Sequence, residues 1–119
     1  MSKETRPPGI TTIAPDVLLS IARLTALKVD GVSRMSAVPG GVERLWQRSH
    51  IEDGVRINIE DKTVHADVYV VMDKNINIRE VSRNVQQAIA RAIEEMVGME
   101  AGHINIHIED IHYDAEGQD

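Results

Sequence analysis

The residues of this chain best suited to acid–base or metal chemistry are its five histidines. They are His50, His65, His103, His107 and His112. None of them has a metal-ligand spacing such as H-E-x-x-H. His103 and His107 fall on one face of a predicted strand, but four residues at about 3.3 Å each place them about 13 Å apart, too far to share one ion. We therefore expect no metal site and no cofactor.

Carboxylates and nucleophiles give little sign of catalysis. Asp67 and Glu109 are expected on the same open sheet face, yet a carboxylate pair works as general acid and base only in a pocket that perturbs it, and the neighbouring residues are polar. The chain has no cysteine, and no Ser or Lys lies in a nucleophile motif. The glycines that follow Pro39 lack the Lys of a phosphate-binding loop. We expect no catalytic residues and no enzymatic activity.

Composition limits the classes of protein and partner. With 119 residues and 42% hydrophobic content, the chain is the size of one domain. Its net charge of −6 disfavours a nucleic-acid partner, because phosphate binding needs a concentrated basic surface. Only Tyr69 among the three aromatic residues is placed on the open sheet face for base stacking. No signal peptide or membrane span is evident, and a cysteine-free chain is compatible with the cytoplasm.

The elements that must position these residues follow from periodicity and turn signals. We expect a disordered segment over residues 1–8, one domain over 9–113 and an acidic tail over 114–119. The patterns predict the following elements: a strand over Gly9–Ile13, a helix from Pro15 to about Val29, a hairpin of strands 55–60 and 63–72 with an Asp61-Lys62 turn, a helix with an Asn77/Glu80 capping box and a Gly98 C-cap, and a strand over His103–Ile108.

This order predicts a split β-α-β-β-α-β arrangement of the α+β class. Its sheet is open and mainly antiparallel, with two helices on one face and solvent on the other.

The first helix carries more apolar surface than one sheet requires. The pattern predicts that a first stripe faces the sheet: Val17, Leu18, Ile21, Leu24, Thr25 and Val29. Leu19, Ala26 and Leu27 then lie on the far side, near Arg23. This far side either packs against the second helix or forms a contact surface for another protein, and both interpretations stay open.

The segment over residues 36–54 contains the only tryptophan of the chain. Trp46 is flanked by Arg44 and Arg48. A tryptophan with neighbouring arginines is typical of a binding anchor, and it is equally typical of a side chain that fixes a loop on the core. Both interpretations stay open.

The second helix presents a basic row. Arg79, Arg83 and Arg91 lie on the face opposite its apolar stripe, where they are interleaved with glutamates. A solvated face with i,i+4 ion pairs is the favoured interpretation. The alternative is a surface that binds RNA or anionic lipid.

An ordered set of short segments resembles the alkaline shock protein family of bacterial envelope stress response proteins. The segments are Ile13-Ala14-Pro15-Asp16-Val17, Ile21-Ala22, Val29-Asp30-Gly31-Val32, Val68-Tyr69-Val70-Val71, Asn77-Ile78, Val85-Gln86, Val97-Gly98-Met99 and the isoleucine-rich final strand. The resemblance covers about Gly9 to Ile111. It implies a non-enzymatic cytoplasmic protein, found in some members at the inner membrane surface through a membrane-anchored partner.

The apolar surfaces predict an interaction module, and the resemblance implies that it belongs to the cell-envelope stress response. We expect it to self-associate as a homo-oligomer or to dock on a protein partner such as a small membrane-anchored protein. The expected contact residues are Leu19, Arg23, Ala26, Leu27, Arg44, Trp46 and Arg48. The expected location is the cytoplasm, at the inner face of the membrane where a partner holds it.

Overall fold

The computed structural model describes residue 9 and residues 12–39 and 50–112. Its elements are helix α1 (Pro15–Leu27), strands β1 (Val32–Met35), β2 (His50–Glu52), β3 (Val55–Glu60) and β4 (Thr63–Asp73), helix α2 (Ile78–Ala92) with a closing π-helical turn (Ile93–Val97), and strand β5 (Glu100–His112). The strands form one sheet, and both helices contribute to a single core with it. The predicted α+β class is therefore confirmed. The predicted terminal segments 1–8 and 114–119 lie outside the described residues.

Strands β3 and β4 form the hairpin that the sequence predicts. Their ladder runs from Val55–Val68 to Glu60–Thr63, so that Asp61 and Lys62 make the turn. Asp61 has a φ of +57°, the positive value that the favoured two-residue hairpin turns have at their first central residue. Alternate side chains of β4 face the helices and are buried. They are Val64, Ala66, Val68, Val70 and Met72.

Strand β4 is the centre of the sheet. Strand β5 pairs parallel to it from Thr63–Glu100 to Asp73–His112. The opposite edge of β4 is shared, because β3 pairs with its first half and β1 with its second half. Strand β2 pairs with the far edge of β3. Among the strands of the described residues, only the β4–β5 pair is parallel, since these strands are joined by a helical crossover. The sheet is mainly antiparallel as predicted.

The prediction of a strand before the first helix is wrong for the described residues. Residues 9, 12 and 13 are in no strand, and residues 10–11 lie outside the description. The strand that borders β4 here is β1, which follows α1 and was not predicted. Gly31, with a φ of +102°, turns the chain after α1, and its carbonyl accepts a hydrogen bond of 2.8 Å from the Asp73 amide. The described order is therefore α-β-β-β-β-α-β.

The predicted orientation of the first helix is wrong in part, because Leu18 is buried as predicted but two other members of the predicted stripe are exposed. The core-facing residues of α1 are Leu18, Leu19, Ala22 and Ala26. Val17 and Leu24, which the periodicity assigned to the sheet, are exposed. Helix α1 contacts α2 as well as the strands, and the small Ala22 and Ala26 allow close approach on the buried side. Because α1 is apolar around most of its circumference, its periodicity did not identify the buried face.

The second helix begins and ends as predicted. The Asn77 side chain accepts a hydrogen bond of 3.0 Å from the Glu80 amide, which satisfies one free donor of the first turn. At the other end the helix widens into the π-helical turn, and Gly98 adopts the left-handed conformation with a φ of +79°. The Met99 amide then donates to the Ile93 carbonyl at 3.2 Å. This cap directs the chain into β5.

The orientation of α1 can be tested with a matched pair of truncations. Leu19→Ala removes a buried side chain and should lower the free energy of unfolding by about 3 kcal/mol. Leu24→Ala removes an exposed one and should lower it by less than about 1 kcal/mol. Urea denaturation followed by circular dichroism measures both values. Equal losses, or a larger loss for Leu24→Ala, would contradict the observed orientation.

Candidate functional site

The outer face of α1 carries a stripe of four apolar residues and one serine, here called the α1 stripe and defined as Val17, Ser20, Ile21, Leu24 and Leu27. The exposed fractions of Val17, Leu24 and Leu27 are 46%, 48% and 37%. Ser20 and Ile21 are half-buried between them. The members recur at intervals of three and four residues, so they line one side of the helix over its whole length.

The contact residues that were predicted on this helix differ in their exposure to solvent. Leu19 and Ala26 have exposed fractions of 3% and 0%, so the prediction that they form a contact surface is wrong: both belong to the core. Leu27 is exposed as predicted. Arg23 is half-buried and forms an ion pair of 3.8 Å between its Nε and Asp53 Oδ2. The excess apolar surface exists, but mainly different residues supply it.

The other predicted contact residues belong to the segment around Trp46. Arg44, Trp46 and Arg48 lie outside the described residues, and the choice between a binding anchor and a core residue stays a prediction.

A groove of about 590 Å³ continues the surface at the C-terminal end of α1. Its walls combine apolar side chains of three elements, Leu27, Met35 and Ile51, with Arg34 and the Arg23–Asp53 ion pair. The groove and the α1 stripe share Leu27. Together they form a surface that combines apolar side chains with a few charged ones, as protein contacts do.

The open face of the sheet carries a polar cluster centred on Asp67. The Arg56 guanidinium donates to Asp67 Oδ2, while His107 Nε2 and Asn105 Nδ2 donate to Oδ1 at 2.8 Å and 3.3 Å. Arg56 is buried, and Asp67 is nearly so. Three donors therefore satisfy one carboxylate that was predicted to be solvated.

His65 forms a second polar contact on the same face. Its Nδ1 accepts a hydrogen bond of 3.0 Å from the His103 amide, and its Nε2 lies 3.2 Å from Glu60 Oε1. The imidazole rings of His65 and His103 stack with their centroids 5.2 Å apart. Because Nδ1 is an acceptor, the neutral ring carries its hydrogen on Nε2. This geometry connects strands β3, β4 and β5.

Tyr69 lies on the open face as predicted, but it is not available for base stacking. Its side chain is buried, and its ring stacks on His107 with a centroid separation of 4.4 Å and an interplanar angle of 11°. The expectation that this whole face is solvated is therefore wrong around Tyr69 and Arg56.

The basic row of α2 is exposed as predicted. Arg79, Arg83 and Arg91 all face solvent. Arg91 Nε lies 3.7 Å from Glu95 Oε2, an i,i+4 ion pair, whereas Arg79 and Arg83 form no ion pair with any described residue. The row thus presents two uncompensated positive charges.

Two kinds of feature are absent from the described residues. No group of three or more His, Cys, Asp or Glu side chains is arranged to hold a metal ion within the described ranges. No helix of those ranges is long and apolar enough to cross a membrane.

The sequence contains signals for some of these contacts. A two-residue turn at Asp61-Lys62 fixes the hairpin register, which places Arg56 directly opposite Asp67, and opposite charges on paired strands attract each other. The α1 stripe gave a weaker signal, because its residues are as apolar as those on the buried face. The contact of His65 with His103 depends on the parallel β4–β5 pairing and had no local signal.

Comparison with known proteins identifies relatives along nearly the whole chain. The model of the alkaline shock protein 23 family, described as having a cell envelope-related function, matches residues 3–113. The uncharacterized protein YqhY of Bacillus subtilis is 34% identical over 113 residues, which cover 93% of this chain and 83% of YqhY. The uncharacterized protein Spy1614 of Streptococcus pyogenes is 27% identical over 106 residues, which cover 87% of this chain and 88% of Spy1614.

Among solved structures, a MamM CTD is similar with a TM-score of 0.49 and 13% identity, covering 80% of this chain and 95% of that domain.

The Asp67 cluster should contribute to stability. Asp67→Ala removes the carboxylate that faces the buried Arg56 guanidinium and should lower the free energy of unfolding by about 3 kcal/mol. Glu60→Ala removes an exposed carboxylate of the same face and should cost less than about 1 kcal/mol. Chemical denaturation measures both. A loss for Asp67→Ala no greater than that for Glu60→Ala would show that the cluster is not a stabilising one.

Proposed function

The chain belongs to the alkaline shock protein 23 family, whose function is related to the cell envelope, and from this premise we propose that it is a non-enzymatic protein-interaction module. In this proposal it self-associates or docks on a membrane-anchored partner during the envelope stress response. The α1 stripe, continued by the groove at its end, is the contact surface. The module acts in the cytoplasm at the inner face of the membrane.

The observation that carries the proposal is the exposure of Val17, Leu24 and Leu27 on one side of one helix. Single exposed apolar residues are common, but a contiguous apolar patch on a small protein often marks an interaction site. Burial of such side chains against a partner is favourable by about 25 cal/mol per Å² of apolar surface removed from water. The α1 stripe is therefore where association gains most free energy.

The charged groups beside the stripe support a specific contact. Arg23 is held by Asp53, so this pair presents little net charge to a partner. Arg34 lines the same groove and forms no ion pair with a described residue. A partner that places a carboxylate near Arg34 and apolar side chains along α1 would complement both features.

Support for a non-enzymatic role comes from the open sheet face. Its most concentrated polar groups bind one another: Asp67 accepts hydrogen bonds from three side chains, and His65 lies between Glu60 and the His103 amide. A general acid or base must reach a proton of the substrate. These side chains are instead used to join neighbouring strands, so we assign them a structural role.

The interaction role can be tested with charge insertion on the α1 stripe. Leu24→Glu should keep the fold, because Leu24 is exposed, and should disrupt any contact by placing a carboxylate at its centre. Wild-type protein should form a dimer or larger species in sedimentation velocity, or co-fractionate with the cell envelope of its native cell. The variant should lose at least about 90% of that association, as expected for a hot-spot residue.

The matched control is Met96→Glu, which inserts the same charge at an exposed apolar residue of the π-helical turn. It should behave as wild type in both assays. If wild type is monomeric and absent from the envelope fraction, or if the two variants lose association equally, the proposed function is wrong.

A second function, binding of RNA or anionic lipid, rests on the uncompensated Arg79 and Arg83. With a net charge of −6, we predict only weak binding, with a Kd above about 10 µM at physiological salt, because two arginines neutralise few phosphates. Fluorescence anisotropy with single-stranded RNA, and sedimentation with phosphatidylglycerol vesicles, measure it. Sub-micromolar binding that Arg79→Ala and Arg83→Ala abolish would replace the proposed function.

A further inference from the structure

The parallel ladder between β4 and β5 is interrupted opposite His65. Val64 pairs with Ala101 and Ala66 pairs with Ile104, so two residues of β5, Gly102 and His103, lie opposite the single residue His65. The His103 amide, displaced from the regular ladder, donates instead to the His65 ring at Nδ1. A side chain therefore supplies the hydrogen bond that the backbone lacks at this bulge.

Gly102 shows how closely the ring is seated. A Cβ atom at position 102 would lie 2.4 Å from His65 Nδ1 and Cε1, a separation that atoms of real side chains do not adopt. Only glycine leaves room for the ring at this position. The contact thus depends on residues of both strands, and His65 cannot keep its position if anything larger replaces Gly102.

We propose that His65 is an acid-sensitive latch that holds the beginning of β5 to β4. With the ring neutral, Nε2 carries its hydrogen and Nδ1 accepts from the His103 amide. Protonation adds a hydrogen to Nδ1, which then cannot accept, and two N–H groups face each other. The latch is therefore closed while the ring is neutral and opens when acid protonates it.

The charged groups around the His65 ring also favour opening of the latch when the ring is protonated. Glu60 of β3 lies beside Nε2 and attracts the protonated ring, while His103 of β5 stacks on the ring and repels it when both are charged. Asp67 lies on the same face but is occupied by Arg56, Asn105 and His107. Protonation therefore moves the preference of His65 from the β5 amide to the β3 carboxylate.

The opening is local, because both flanks of the bulge are held independently of His65. On one side the Glu100 amide donates to the Lys62 carbonyl at 2.9 Å, and Thr63 Oγ1 donates to Glu100 Oε1 at 3.0 Å. On the other side Ile104 is buried in the core, and its carbonyl accepts from Gln86 Nε2 at 3.0 Å. The segment released is Ala101–His103, and the rest of β5 stays paired.

Amide hydrogen exchange measured by NMR tests the latch directly. The protection factor of the His103 amide, corrected for the intrinsic pH dependence of exchange, should fall about fivefold to tenfold between pH 7.5 and pH 5.5, the equivalent of one hydrogen bond. The amide of Ile57 in β3 serves as an internal reference and should not change. Nitrogen chemical shifts of the His65 ring should show a hydrogen on Nε2 at pH 7.5 and on both nitrogens at pH 5.5.

Two variants and one control substitution distinguish the latch from a general loosening of the structure at acid pH. His65→Gln offers an acceptor that does not titrate, so its His103 protection should be independent of pH. Gly102→Ala displaces the ring and should give the low protection of the acid state at pH 7.5 already. His107→Gln, which changes a histidine outside the bulge, should retain the wild-type pH dependence.

A pH-independent His103 protection factor in wild type would overturn the proposal. So would a fall in His65→Gln as large as that in wild type, because acid would then act elsewhere. If either variant fails to fold, the His65 ring nitrogen shifts in wild type decide alone: a neutral ring with its hydrogen on Nδ1 excludes the latch.

Discussion

The rest of the structure depends on the hydrogen bonding of β4 along both of its edges. This strand of 11 residues pairs with β5 on one side and with β3 and then β1 on the other. Buried backbone polar groups must be paired, so a strand enclosed in this way needs neighbours on both sides. Its register fixes which residues of β3 and β5 meet. Asp67 faces Arg56, and His65 meets His103, as consequences of that register rather than of separate local preferences.

Those parts of the fold that have local signals could be predicted from the sequence. The β3–β4 hairpin follows from alternation and from a turn of two residues, and the limits of α2 follow from Asn77 and Gly98. The second helix has one apolar and one polar face, so its orientation was unambiguous. Helix α1 differs because Leu18 and Leu19 on one side and Leu24 and Leu27 on the other are equally apolar. Its orientation is determined by packing against α2 and the sheet.

The short strand β1 had no local signal either. Its four residues, Val32–Met35, do not alternate clearly, and the strand exists because the second half of β4 leaves an edge that β3 does not cover.

The candidate site could be predicted from the sequence only in part. An excess of apolar surface on the first helix could be inferred from composition, but the residues that display it could not, since Leu19 and Ala26 are buried and Val17 and Leu24 are exposed.

The two faces of the molecule differ in how much interaction they leave for a partner. On the open sheet face, the most concentrated polar groups bind one another, and a partner that approached Asp67 or His65 would have to break existing hydrogen bonds in exchange for new ones, with little net gain. On the outer face of α1, Val17, Leu24 and Leu27 are exposed, and burial of these side chains would release water without breaking a hydrogen bond between described residues. Association free energy is therefore available on the helix side, while the open face serves to fix the strands that hold this helix in place.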